Sequence, residues 1–208
     1  MTHVAIIDAG VGNLGNLKRA VDSLGALSEI TSEPSKIAES RCLFLPGVGA
    51  FRPPRETLRG ELETALRSAL DQGAWLFGIC VGFQLLFETG REFGTTDGLA
   101  LLTGQVTPLP EGVSLPHIGW NSLHDVAEHP VLEGIEDGAH VYFVHGFAPS
   151  DEDPGETLAL CTHGSTFPAM SARGRVLGTQ FHPEKSSDLG LRILKNFLEY
   201  SNGTHSFD

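Results

Sequence analysis

The chain has 208 residues, 40% of them hydrophobic and 19% charged, which suits a globular protein, since a chain of this size buries about 70% of its unfolded surface without a disulfide or metal staple. Fourteen Lys and Arg against 26 Asp and Glu leave a formal charge of -12, which opposes binding to phosphate backbones and anionic lipid. No apolar run approaches the roughly 20 residues of a membrane helix, and Met1 to Asp8 has neither the basic start nor the small-residue cleavage site of a signal peptide. The expectation is a cytoplasmic protein with no nucleic-acid and no membrane partner.

In chain order, Val4 to Ile7 reads as a buried strand, Leu14 to Leu24 as a helix, and Leu43 to Leu45 as a strand ending at Pro46-Gly47. Glu56 to Leu70 carries Leu58, Leu62, Leu66 and Ala69 at helical spacing, Trp75 to Ile79 follows as a strand, and Phe83 to Phe87 returns to a helical pattern. From about Leu99 the pattern changes to short strands, Val141 to Val144, Leu158 to Cys161 and Val176 to Phe181, between Gly, Pro and acidic turns. Leu189 to Tyr200 reads as a closing helix. The predicted fold is α/β, a mostly parallel central sheet with helices on both faces and extra antiparallel strands in the C-terminal half, in a single domain spanning 1–208.

Three segments suggest chemistry. Gly10-Val11-Gly12-Asn13-Leu14-Gly15 follows a strand and opens a helix, with Glu29 near the end of a second strand, so it fits a dinucleotide fingerprint. It fits equally a tight turn whose glycines permit positive φ. Gly78-Ile79-Cys80-Val81-Gly82-Phe83-Gln84 has the G-x-C-x-G form of a nucleophile elbow, a sharp strand-to-helix turn that exposes Cys80 at the carboxyl edge of the sheet and aims the Val81 amide at an oxyanion. Cys42 and Cys161 read instead as buried core thiols; the three cysteines are odd in number and widely spaced, so neither a disulfide framework nor a zinc pair is offered.

The third segment, Thr179-Gln180-Phe181-His182-Pro183-Glu184-Lys185, places His182 at a strand end, with Glu184 on the same side by strand alternation and able to hold its tautomer. Cys80, His182 and Glu184 then make a thiol triad. The glycine-rich Pro46-Gly47-Val48-Gly49 loop falls at the same sheet edge, where the amides of Val48 and Gly49 complete an oxyanion hole. His140 and His145 lack further ligands at metal spacing, so no metal is expected. Asn202-Gly203-Thr204 matches a glycosylation acceptor, without meaning in a chain that is not secreted.

These motifs resemble the class I glutamine amidotransferases across almost the whole chain. Asp8 to Leu14, Pro116-His117-Ile118-Gly119-Trp120-Asn121, Tyr142-Phe143-Val144-His145 and Glu184-Lys185-Ser186-Ser187 are similar to the glutaminase subunits of imidazole glycerol phosphate synthases. The resemblance implies hydrolysis of L-glutamine through a thioester on Cys80, with His182 as acid and base and Glu184 orienting it, and with no cofactor. It also implies glutamine contacts at Gly49 and Gln84. The partner implied is a TIM-barrel cyclase subunit that takes the ammonia into histidine biosynthesis, facing Asn13, Trp120, Tyr142 and Lys185. In this family the strand near Val48 is thought to keep an amide turned away until the cyclase binds its nucleotide. Gly146-Phe147 departs from the hydroxyl residue and tyrosine common there, which removes a side-chain contact to glutamine.

Three other readings compete; one, another class I amidotransferase subunit, is opposed by the Pro116 to Asn121 and Glu184 to Ser187 segments. A Rossmann-type binding protein accounts for Gly10, Gly12, Gly15 and Glu29 but leaves Cys80, His182 and Glu184 as coincidence. A lone thiol hydrolase on a related fold keeps the triad but needs no partner.

Overall fold

The computed structural model describes residues 3–203; the remaining residues, among them Thr204 of the Asn202-Gly203-Thr204 match, lie outside it. The first half of the chain alternates strand and helix: β1 (His3–Ile7), α1 (Leu14–Ser23), β2 (Leu27–Thr31), α2 (Pro34–Glu39), β3 (Cys42–Gly47), α3 (Arg52–Leu58), α4 (Glu61–Asp71), β4 (Trp75–Cys80) and α5 (Val81–Gln84). Strands follow in the second half: β5 (Thr89–Gly90), β6 (Thr96–Asp97), β7 (Gln105–Pro108), β8 (His117–Ser122), β9 (His140–His145), β10 (Phe147–Ser150), β11 (Thr157–His163), β12 (Ser165–Arg173) and β13 (Val176–Thr179), before the closing helix α6 (Ser187–Ser201).

The main sheet has seven strands in the order β11-β12-β13-β4-β3-β1-β2. From β2 to β13 all neighbours are parallel, and β12 and β11 then add antiparallel strands. β3 is buried along its whole length, as a central parallel strand covered on both faces must be. Phe44 and Phe77 meet the Phe197 ring of α6 at 5.3 and 4.8 Å. Leu43 and Leu45 alternate with Phe44, so they are buried from the other side. The helices divide accordingly, α1 touching α6 while α2 and α3 pack on α4.

The structure departs from the sequence expectations in three places. The helix expected over Glu56 to Leu70 is two helices, because Gly60 sits at φ +85° between them. The helical pattern after Cys80 stops at Gln84, because the carbonyls of Leu85, Leu86 and Phe87 accept hydrogen bonds from the segment Leu99 to Leu102 instead of from a further turn. The extra strands do not all join the main sheet: β10-β7-β5-β6 form a second sheet and β8-β9 a separate hairpin. β12 escapes a sequence reading because Pro168 speaks against a strand, and beside it the pairing with β11 shifts register.

At the carboxyl edge, Gly47 of β3 lies opposite Cys80 of β4, and Gly78 opposite Gly178 of β13. These glycines are close-approach positions. A Cβ on Gly82 falls 1.7 Å from the Leu45 carbonyl oxygen, and one on Gly78 2.8 Å from the Phe83 Cα. The turn after β4 therefore crosses the end of β3 at a distance only glycine allows. Gly82→Ala is expected to cost about 3 kcal/mol or more in urea unfolding, the upper range for overpacking, because the obstacle is backbone.

Candidate active site

Cys80 sits between β4 and α5 with φ +55° and ψ -112°, a conformation costly for any residue with a side chain. The strain turns its sulfur out of the sheet plane into the crevice beyond the strand ends. The sulfur is covered rather than exposed there, since Cys80 is 2% accessible and its Sγ lies 3.8 Å from the Val144 carbonyl oxygen. The expectation of an exposed thiol is corrected: the β9–β10 corner lies over the elbow. Cys42 and Cys161 are also buried, and burial pushes both thiols up to about 12, which leaves them protonated and inert.

His182 reaches the same point from β13. Its backbone N–H donates to Tyr142, and its Nδ1 meets Glu184 Oε1 at 2.8 Å, with both side chains buried. Strand alternation is not what brings Glu184 there. β13 ends at Thr179, and Pro183 starts a 3₁₀ turn over Pro183–Lys185 that folds the carboxylate back under the ring. Among the described residues His182 Nε2 has no hydrogen-bond partner, so it is the ring nitrogen left for the sulfur and a substrate. Burial opposes charging this ring, but the Cys80 sulfur and the Glu184 carboxylate that face it outweigh burial and raise the pKa from 6.5 to about 9. The imidazole is thus held in its protonated form at neutral pH, facing the Cys80 sulfur.

Two glutamines complete the floor. Gln84 Nε2 donates to the Phe147 carbonyl at 2.9 Å and to Gln180 Oε1 at 3.0 Å, which turns Gln180 Nε2 toward the sulfur at 3.8 Å. Gln180 carried no signal beyond its place two residues before His182. Val48 and Gly49 begin the loop that leaves β3 beside Cys80, and Gly49 has φ +84° with open space where a Cβ would lie. The loop is tied further on, where Glu92 Oε2 accepts from the Phe51 N–H at 2.7 Å. Only tertiary folding reveals Glu92, 41 residues away.

The first loop is built as a turn. Gly10 and Gly12 have positive φ, Asp8 Oδ1 accepts from Gly10 N–H, and Asn13 caps α1. Glu29, the acid a dinucleotide ribose needs, is paired with Lys36. On the neighbouring rim Trp120 is 53% exposed and its ring meets Tyr142 edge-on at 6.1 Å. Lys185 Nζ lies 5.8 Å from the centre of the Tyr142 ring. Asn13 caps the helix against which the Pro183–Lys185 turn packs.

A strained cysteine at a strand-to-helix elbow, a carboxylate-held histidine and a glycine loop beside them agree with the match of residues 5–200 to the family described as glutamine amidotransferase class-I. The chain belongs to that family. Solved structures share the fold: one described as a glutamine amidotransferase aligns with TM-score 0.76 at 24% identity over 96% of this chain and 98% of its own, and PurLQS from Thermotoga maritima with TM-score 0.76 at 19% identity over 96% and 98%. Within the family the chain falls among the HisH subunits of imidazole glycerol phosphate synthase. It is 42% identical to that of Salinibacter ruber over 92% of both chains, and 41% identical to that of Methanosarcina barkeri over 96% of this chain and 99% of the relative.

A histidine whose pKa is raised on folding adds stability that is fully present below its unfolded value and is lost as pH rises through its folded one. The stability difference between the wild type and His182→Gln, from urea midpoints, is therefore expected to be largest below pH 6.5, to fall between pH 6.5 and about 9, and to be gone above that.

Proposed function

We propose that this chain hydrolyses L-glutamine as the ammonia-donating subunit of imidazole glycerol phosphate synthase in histidine biosynthesis, acting as a single glutamine amidotransferase domain. The observation that carries the reading is the convergence of Cys80, His182 and Glu184 beside the loop leaving β3. The sulfur attacks the δ-carboxamide carbon, and the oxyanion formed is received by the amides of Val81 and of the Val48–Gly49 loop. Protonated His182 gives its proton to the departing nitrogen, ammonia leaves, and a thioester remains on Cys80. Water then attacks the thioester carbon while His182 takes its proton, releasing glutamate and freeing the Cys80 sulfur. Glu184 keeps Nδ1 occupied through both steps, so that Nε2 alone handles the proton.

The partner in this reading is a TIM-barrel cyclase seated on the rim of Trp120, Tyr142, Lys185 and Asn13. Leu115, Ile118 and Trp120 support it, being three of the large apolar side chains that stay exposed, gathered around one strand. Gating is assigned to the loop after β3. Gly47 is held, since a Cβ there comes within 2.8 Å of the Gly82 nitrogen, whereas Gly49 is unhindered, so the peptide that can turn is the one between Val48 and Gly49. No described helix is long and apolar enough to cross a membrane. We place the reaction in the cytoplasm, where a required free thiol stays reduced.

Glutamate release from glutamine, measured for the chain alone and with the cyclase subunit and its nucleotide, tests the reading. Activity is expected to be low alone, to rise strongly with the loaded partner, and to vanish in Cys80→Ala. Equal turnover with and without the partner overturns the gated reading in favour of a lone thiol hydrolase. Glu184→Gln is expected to lower kcat by about 10² to 10⁴ by leaving the ring in the wrong tautomer. Gly146 has open space where a Cβ would lie, so Gly146→Ser is expected to fold normally and, by adding one hydrogen bond, to lower the KM for glutamine roughly threefold to tenfold.

A further inference from the structure

Three histidines outside the triad gather behind the active site. His117 of β8 and His145 of β9 face each other in register. His163 stacks on His117 with ring centres 4.1 Å apart, and Phe143 and Phe167 close the cluster. Their protons can be assigned from the hydrogen bonds alone. His145 Nδ1 lies 2.8 Å from the Phe147 carbonyl oxygen, which can only accept, so Nδ1 carries the proton and Nε2 is the acceptor. His117 Nδ1, 2.9 Å from that Nε2, is then the donor. His117 Nε2 in turn accepts from Asn121 Nδ2, whose orientation is set because it also donates to the Thr162 carbonyl. Burial supports the uncharged forms, holding His145 down at about 3 and His117 at about 4.

This chain ends on the wall of the active site. Gly146, where β9 leaves the hairpin and β10 enters the other sheet, is held on one side, its carbonyl accepting from the Leu109 N–H at 3.0 Å, while the space where a Cβ would lie is open. Yet the residues on either side set the chemistry, since the Val144 carbonyl faces the Cys80 sulfur and the Phe147 carbonyl holds Gln84. The bond from His145 to Phe147 spans that glycine and clamps the corner.

We propose that His145, held in register by His117, is a positioning residue for glutamine hydrolysis: donating from Nδ1 to the Phe147 carbonyl, it fixes the Gly146 corner and through it the side chain of Gln84. The inference rests on the glutaminase reading above. It is separate from the triad, because His145 touches neither Cys80 nor His182 through a hydrogen bond.

The test compares two substitutions in the complex with the cyclase and its nucleotide. His145→Asn keeps a donor near the position of Nδ1, whereas His145→Phe keeps the ring and loses the donor. His145→Phe is expected to raise the KM for glutamine about tenfold with kcat changed less than about threefold, and His145→Asn to stay within about threefold of wild type in both. Nitrogen-15 chemical shifts of the wild-type rings are expected to show His145 and His117 protonated on Nδ1. Variants with the same KM as each other, or a wild-type His145 protonated on Nε2, overturn the proposal; if His145→Phe does not fold, the tautomer decides. A wild-type complex that releases no glutamate overturns the glutaminase reading and this inference together, whereas an active wild type with two indistinguishable variants overturns this inference alone.

Discussion

The crossing of the Cys80 turn over the end of β3 is the constraint on which the rest of the site depends. At the crossing, a Cβ on Gly82 meets the Leu45 carbonyl and one on Gly47 meets the Gly82 nitrogen, so two backbones pass at a separation that excludes side chains. That approach lets Cys80 hold φ +55°, a strain of about 1–3 kcal/mol stabilised by strands buried along nearly their whole length. It also puts the loop after β3 beside the sulfur. The elbow cysteine and the glycine loop beside it are thus brought together by one packing event.

Burial opposes charge on the histidines around the site, and only facing partners reverse it. His182, His145 and His117 are all buried, and burial disfavours the cation in each. His182 is nevertheless held near 9, because a carboxylate and the cysteine sulfur face it, while His145 and His117 fall to about 3 and 4, because each faces only neutral acceptors or other histidines. Two neighbouring elements, the end of β13 and the β8–β9 hairpin, therefore carry a charged histidine and an uncharged pair. The same residue type does both jobs because desolvation sets the cost of charge, and only a nearby anion offsets it.

Local signals were legible where the chemistry is local. The alternation of short apolar runs with helical spacing in the first half reads directly as a parallel sheet, since both faces of such strands are buried. Gly78-x-Cys80-x-Gly82 reads as an elbow because the crowding the glycines relieve is built by their own neighbours. The second half was less legible. Its strands distribute over three sheets, and no short-range pattern says which partner a strand chooses. The helix after Cys80 ends where it does because Leu99 to Leu102 take its carbonyls, a competition that no window of sequence around Gln84 contains. Glu184 was placed with His182 for the wrong local reason: the 3₁₀ turn at Pro183, not strand alternation, brings them together.

By itself, then, the sequence determined the fold class, the elbow, and the residue types a thiol glutaminase needs, because each follows from periodicity or steric demand within a few neighbouring residues. Tertiary structure decided what those residues can do. Cys80 and His182 are one hundred and two positions apart in the chain, and only the pairing of β4 with β13 makes them neighbours. Gln180, Glu92 and the His117–His145 pair enter the site through contacts between distant segments. Their protonation and orientation depend on burial and on which acceptors face them, quantities that exist only once the chain has closed on itself.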